Sequence, residues 1–105
     1  MDLNTVLDDL VFSLKSSDPY KIIIFGSYAR GNPNENSDID LLVILDNDHV
    51  SKTYKERLEK RLFIRNLVLD ILVYSKEELN LIKNRGNFLI EEIERTGKVI
   101  YEKAG

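Results

Sequence analysis

The residues able to do chemistry concentrate between positions 26 and 43, which read G-S-Y-A-R-G-N-P-N-E-N-S-D-I-D-L-L-V. A small-residue turn, Gly26-Ser27, is followed after ten residues by Asp38 and Asp40. The run Asp-Ile-Asp-Leu-Leu-Val-Ile-Leu has the composition of a strand, in which side chains alternate between faces. Both aspartates therefore face one way, with α-carbons about 6.5 Å apart. Two carboxylates on one face repel each other unless a cation lies between them. Divalent ions in pairs, about 3.5–4 Å apart, meet that need where phosphoryl groups are transferred. Mg²⁺ takes oxygen ligands and combines one or two carboxylates with substrate phosphates. The expected chemistry is a divalent metal site for a nucleoside triphosphate.

Asp70 adds a third carboxylate. It is the one acid in Leu-Val-Leu-Asp-Ile-Leu-Val-Tyr (67–74), and an isolated ionised carboxylate in an apolar strand is costly. Either it reaches a cleft or an exposed sheet edge, or it pairs with a cation. If its strand lies beside that of Asp38 and Asp40, three carboxylates meet. Two Mg²⁺ ions then change the local charge from −3 to about +1, which favours a triphosphate.

Helices alternating with strands must position these groups. Leu3, Val6, Leu7, Leu10, Val11 and Leu14 fall at steps of three and four, an apolar stripe on a helix that Pro19 forbids from continuing. Residues 20–25 predict a buried strand closed by Gly26, and residues 27–30 the start of a short helix. Residues 31–37 are turn chemistry. Residues 38–45 predict the second strand and 46–49 a loop. Residues 51–65 predict a helix, with Tyr54, Leu58 and Leu62 on one side. The third strand is 67–74. Ser75 and Glu78 have capping-box spacing, opening a helical stretch that Gly86 bends or splits and Gly97 ends. Residues 98–102 predict a short edge strand. The fold class is α/β (α+β): a small mixed sheet of about four strands with packed helices, in one domain over 1–105.

Composition narrows the partners. Fifteen basic against eighteen acidic residues leave a net charge of −3, which argues against sequence-independent nucleic-acid binding. With no cysteine, thiolate metal sites and thiol chemistry are excluded. No apolar run reaches the roughly 18 residues of a membrane span. The acidic N-terminus lacks the layout of a signal peptide, so a cytoplasmic location is expected.

The Gly26-Ser27 pair, Asp38-Ile-Asp40 and an acid on a later strand resemble the nucleotidyltransferases related to DNA polymerase beta. G-S-Y-A-R-G followed by S-D-I-D-L-L-V is similar to their minimal nucleotidyltransferase subfamily, small bacterial and archaeal proteins often found beside a partner called HEPN. The resemblance implies that Asp38 and Asp40 bind two Mg²⁺ ions. It implies that Asp70 binds the catalytic ion and activates the attacking hydroxyl. Gly26 and Ser27 would hold a phosphate, and Arg30 would reach one. The implied reaction is in-line attack on the α-phosphate of ATP, carrying AMP to a hydroxyl. In the subfamily the domain is a type VII-like antitoxin to a HEPN ribonuclease toxin, and in some members that hydroxyl is a tyrosine of the toxin. Larger members append a domain; here a second copy or a separate protein is expected to supply the other wall of the cleft. The alternatives are an inactive module that neutralises the toxin by contact, and transfer to a small molecule.

Plainer readings stand beside these. Asp38 and Asp40 also fit a strand-start cap, Asp70 an acid at a sheet edge, and Gly26-Ser27 an ordinary turn. Arg30 equally suits a surface salt bridge. His49, alone in a polar loop, is read as solvated, Lys21 as a surface cation and the tyrosines as packing residues, with Tyr28 near enough to touch a nucleotide.

Overall fold

The structure is a computed structural model that describes residues 3–14, 18–26, 29, 31, 38–46, 61–64 and 67–103. In chain order the elements are α1 (Leu3–Leu14), β1 (Pro19–Phe25), β2 (Ile39–Leu45), β3 (Arg61–Ile64), β4 (Leu67–Ser75), α2 (Lys76–Asn84), α3 (Phe88–Thr96) and β5 (Lys98–Glu102). They form one five-stranded sheet in the order β3-β4-β2-β1-β5. Among the described strands only β2 and β4 pair in parallel; β1–β2, β1–β5 and β3–β4 are antiparallel.

The sheet has one strand more than the expected four. Its extra strand, β3, falls where the spacing of Leu58 and Leu62 predicts the end of a helix. Pairing of Leu62 with Leu69 and of Ile64 with Leu67 overrides that local pattern. Residues 51–60 and 65, the rest of the expected helix, lie outside the described residues, as do 47–49 of the expected loop.

Helices cover both faces of the sheet. Leu10 and Leu14 of α1 pack on Ile22, Ile24, Leu41, Val43, Leu69, Ile71 and Val73. On the other face Leu79 of α2 and Ile90 and Ile93 of α3 pack on Ile23, Leu42 and Ile44. The central strand β2 is thus covered on both sides, which explains its unbroken apolar run: Leu41, Leu42 and Val43 are each 0% exposed. Burying each such side chain stabilises the fold by about 1.5–3 kcal/mol.

The boundaries of the helices follow from local chemistry. Ser75 caps α2: its hydroxyl accepts from the Glu78 N–H at 3.1 Å, and its own N–H donates to the Glu78 carboxylate at 3.0 Å. The helical stretch splits at Gly86, where φ is +74°. Asn87 then caps α3 by accepting from the Ile90 N–H at 3.1 Å. Gly97 ends α3 at φ −72°, so its need is for space. A Cβ there would lie 2.5 Å from the Ile93 carbonyl and 2.6 Å from Ile23 Cγ2.

Candidate active site

Two pairing directions bring the acids to one end of the sheet. Because β1 runs antiparallel and β4 parallel to β2, the end of β1 meets the starts of β2 and β4. Asp40 is paired with Phe25 on one side and with Asp70 on the other. Residues paired across neighbouring strands project to the same face, and adjacent strands lie about 4.8 Å apart. Asp40 and Asp70 are therefore side by side, and both are half-buried. Asp38, also half-buried, precedes β2 by one residue at the same end.

Gly26 completes this corner. It follows β1 directly with φ +77°, a left-handed backbone that side chains rarely tolerate. A Cβ on it would lie 2.5 Å from Asp40 Oδ2, so bare backbone abuts the carboxylate. Asp40 shares its face with Leu42 and Ile44, the face packed by α2 and α3. The helix α2 leaves the far end of β4, after Ser75, so the acids occupy the opposite end of that face.

The donor set suits a hard divalent cation: carboxylate oxygens on one face of the sheet. Among the described residues no three His, Cys, Asp or Glu side chains are gathered into a ready metal cluster. The backbone register aligns Asp40 with Asp70, and a cation between them would offset their mutual repulsion. Ser27, Tyr28, Arg30 and His49 lie outside the described residues; of the turn that bears the first three, Ala29 is helical and buried.

A pocket of about 470 Å³ lies elsewhere, lined by Tyr20, Lys21, Leu79, Lys76, Lys83 and Gly97 among others, and holds none of the three acids. Its lysines are partnered: Lys76 with Asp46 at 3.1 Å, Lys83 with Glu94 at 2.9 Å and Lys21 with Glu102 at 3.7 Å. Lys76 also stands 3.6 Å from the centre of the Tyr20 ring.

One residue at the acid end escapes a reading of local pattern. Arg61, in β3, is the register partner of Asp70. The helical spacing around Leu58 and Leu62 hides it. Arg65-Asn66, between its run and that of β4, is not one of the glycine-containing pairs that mark a two-residue hairpin, so local pattern does not reveal it.

Comparison with known proteins agrees with this arrangement. The family described as polymerase beta, nucleotidyltransferase matches residues 10–104. Two Methanocaldococcus jannaschii proteins named "Putative protein adenylyltransferase" are similar. MJ1305 is 40% identical over 73 residues, 67% of this chain and 46% of its own length. MJ0604 is 38% identical over 81 residues, 77% of each chain. Protein adenylyltransferase MntA of Aphanizomenon flos-aquae is 29% identical over 103 residues, 94% of this chain and 69% of its own. The chain thus spans less than half of MJ1305 and most of the other two. No helix among the described residues is long and apolar enough to cross a membrane. With the family matched over nearly all its length and the paired aspartates set beside a glycine turn, the chain belongs to the polymerase beta nucleotidyltransferase family.

Proposed function

We propose that this chain transfers AMP from ATP to a hydroxyl of a partner protein, a tyrosine of a HEPN toxin, and so acts as its antitoxin. The observation carrying the proposal is the in-register pairing of Asp40 with Asp70, with the bare backbone of Gly26 against Asp40. The names of the relatives support a protein as acceptor. The HEPN toxin, the tyrosine and the cytoplasmic setting rest on the resemblance of the motif.

In this reading Asp38, Asp40 and Asp70 hold two Mg²⁺ ions. When bound, the ions neutralise the charge of the triphosphate and of the developing transition state. Gly26, lacking a side chain, lets the donor phosphates approach the backbone, and Ser27 and Arg30 bind them. Asp70 lies on the side of Asp40 away from Gly26 and takes the proton of the acceptor hydroxyl. The hydroxyl oxygen attacks the α-phosphorus, the bond to the β-phosphate oxygen breaks, and pyrophosphate leaves with that electron pair. The test combines the purified protein, labelled ATP, Mg²⁺ and the product of its genomic neighbour. Label should transfer to the partner and vanish with Asp38→Ala or Asp40→Ala. Transfer that survives in both variants would remove the proposed role of these acids.

A second reading, neutralisation by contact alone, draws on the apolar side chains at the α2–α3 corner: Phe88 is 78% exposed, Leu81 53% and Leu89 50%. In that case an Asp38→Ala, Asp40→Ala double variant still suppresses the co-expressed toxin. Suppression lost while the complex persists rejects it.

A further inference from the structure

The cavity beneath α2 and α3 plays no part in the proposed transfer. Its place follows from the register: Lys21 pairs with Ile44, four residues along β2 from Asp40, which is about 13 Å at the rise of a strand. Its walls join the buried side chains of Ile23, Ile44, Leu79 and Ile93 to part-exposed lysines. At about 470 Å³ it falls within the roughly 300–1,000 Å³ of small-molecule sites, which combine an apolar lining with a few polar groups. An irregularity of β1 aims two of those groups. Pro19 opposes Leu45 and Lys21 opposes Ile44, so Tyr20 is one residue too many, and such a bulge re-aims a side chain. Neighbours on a regular strand face opposite sides, yet Tyr20 and Lys21 both line the cavity. Helix α2 supplies a further wall, with Lys76, Leu79, Asn80 and Lys83 at the spacing of one helical face.

We infer that this cavity is a second binding site, for a small amphipathic anion: a ring or short chain on the apolar floor, with a carboxylate or phosphate taken by Lys21 and Lys76. The Tyr20 ring gathers these two cations at one end of the cavity, with Lys76 Nζ 3.6 Å and Lys21 Nζ 5.7 Å from its centre. Both are available to an incoming anion. Their pairs with Asp46 and Glu102 join part-exposed side chains, and such pairs contribute only about 0.2–1 kcal/mol. Asp46 also meets Lys103 at 3.8 Å, so Lys76 can turn to a ligand without stranding the aspartate. The site needs neither the three acids nor the proposed transfer. The competing account is that the lysines serve only their acidic neighbours and water fills the cavity.

The test is calorimetric titration of the whole chain, without Mg²⁺, with phenyl phosphate and phenylacetate, beside phenol, inorganic phosphate and benzylamine. At least one of the two amphipathic anions should bind saturably, about 10-fold or more tighter than phenol, phosphate or benzylamine. K21Q and K76Q should each weaken that binding about 3- to 10-fold, since each removes one charge-assisted contact. N80W, at an exposed position of the helical wall, should fill the cavity and abolish binding. R95Q removes an exposed charge outside the cavity and should change nothing. No saturable binding of either anion at about 10 mM overturns the inference. Inorganic phosphate bound as tightly as phenyl phosphate overturns it, because the apolar floor then contributes nothing. Phenol or benzylamine bound as tightly overturns it too, because the cations then select nothing. Weakening by R95Q equal to that by K76Q assigns the effect to overall charge and rejects the site.

Discussion

Replacing Gly26 with alanine separates the cost of a strained backbone from the cost of a displaced carboxylate. The left-handed conformation, φ +77°, costs an L-residue about 1–2 kcal/mol. With a urea slope of about 2 kcal/mol per molar, the unfolding midpoint should fall by about 0.5–1 M. The new methyl carbon would meet Asp40 Oδ2 at 2.5 Å, closer than any Cβ contact tolerates. That oxygen ends a short side chain, so the clash is relieved by turning the carboxylate, with little further loss of stability. The carboxylate then leaves its place beside Asp70. Disturbing the support of a metal ligand typically costs 10- to 100-fold in metal affinity or activity. Mg²⁺ titration of AMP transfer, read beside urea unfolding, should show a half-saturating Mg²⁺ concentration raised about 10- to 100-fold. Gly97→Ala is the control. Its Cβ would strike the Ile93 carbonyl and the buried Ile23 side chain, and no carboxylate is among the atoms it would meet. It should lose about 1–3 kcal/mol by overpacking while its Mg²⁺ dependence stays unchanged. If Gly26→Ala shows the stability loss and normal Mg²⁺ dependence, the glycine does not position Asp40.

Three further outcomes are expected. Mg²⁺ at 100 times its dissociation constant should stabilise the wild type by about 2.7 kcal/mol, and Asp40→Asn, Asp70→Asn should abolish the thermal shift seen in a melting scan. Ser75→Ala removes the hydroxyl that accepts from the Glu78 N–H and should cost about 1 kcal/mol, a fall of about 4–8 °C in Tm. The hydrogen bond with Asp18, and the charge of that carboxylate, hold the Lys103 ammonium above its ordinary value of 10.5. Any stability from the pair is therefore present below the unfolded-state value and lost as pH rises through the folded one. Lys103→Gln should flatten the alkaline limb of stability against pH and leave neutral stability little changed, as expected for an exposed pair.

Much of this fold was readable in local pattern. The apolar stripe of α1, the runs of β1, β2 and β4, the Ser75–Glu78 cap and the break at Gly86 all depend on neighbours a few residues away. Strand β3 was not readable in this way. The spacing of Leu58 and Leu62 fits a helix, and only the pairing of Leu62 with Leu69 makes a strand there. The pocket among Tyr20, Lys76 and Lys83 was equally invisible, since its walls come from distant stretches of chain.

The sequence by itself determined the residue types at the site and their faces: Asp38-Ile-Asp40 on one strand, a lone acid on another, a glycine turn at a distance. Those follow from alternation along a strand and from glycine's tolerance of positive φ, both properties of the nearest few bonds. Tertiary structure alone decided that β4 lies beside β2 in parallel, in the register that sets Asp70 against Asp40 and Arg61 beyond it. A slip of one residue in either strand would have turned the two carboxylates to opposite faces. What prevents it is burial of Leu69, Ile71 and Val73 with Leu41 and Val43 beneath α1, a constraint that exists only once the strands have packed.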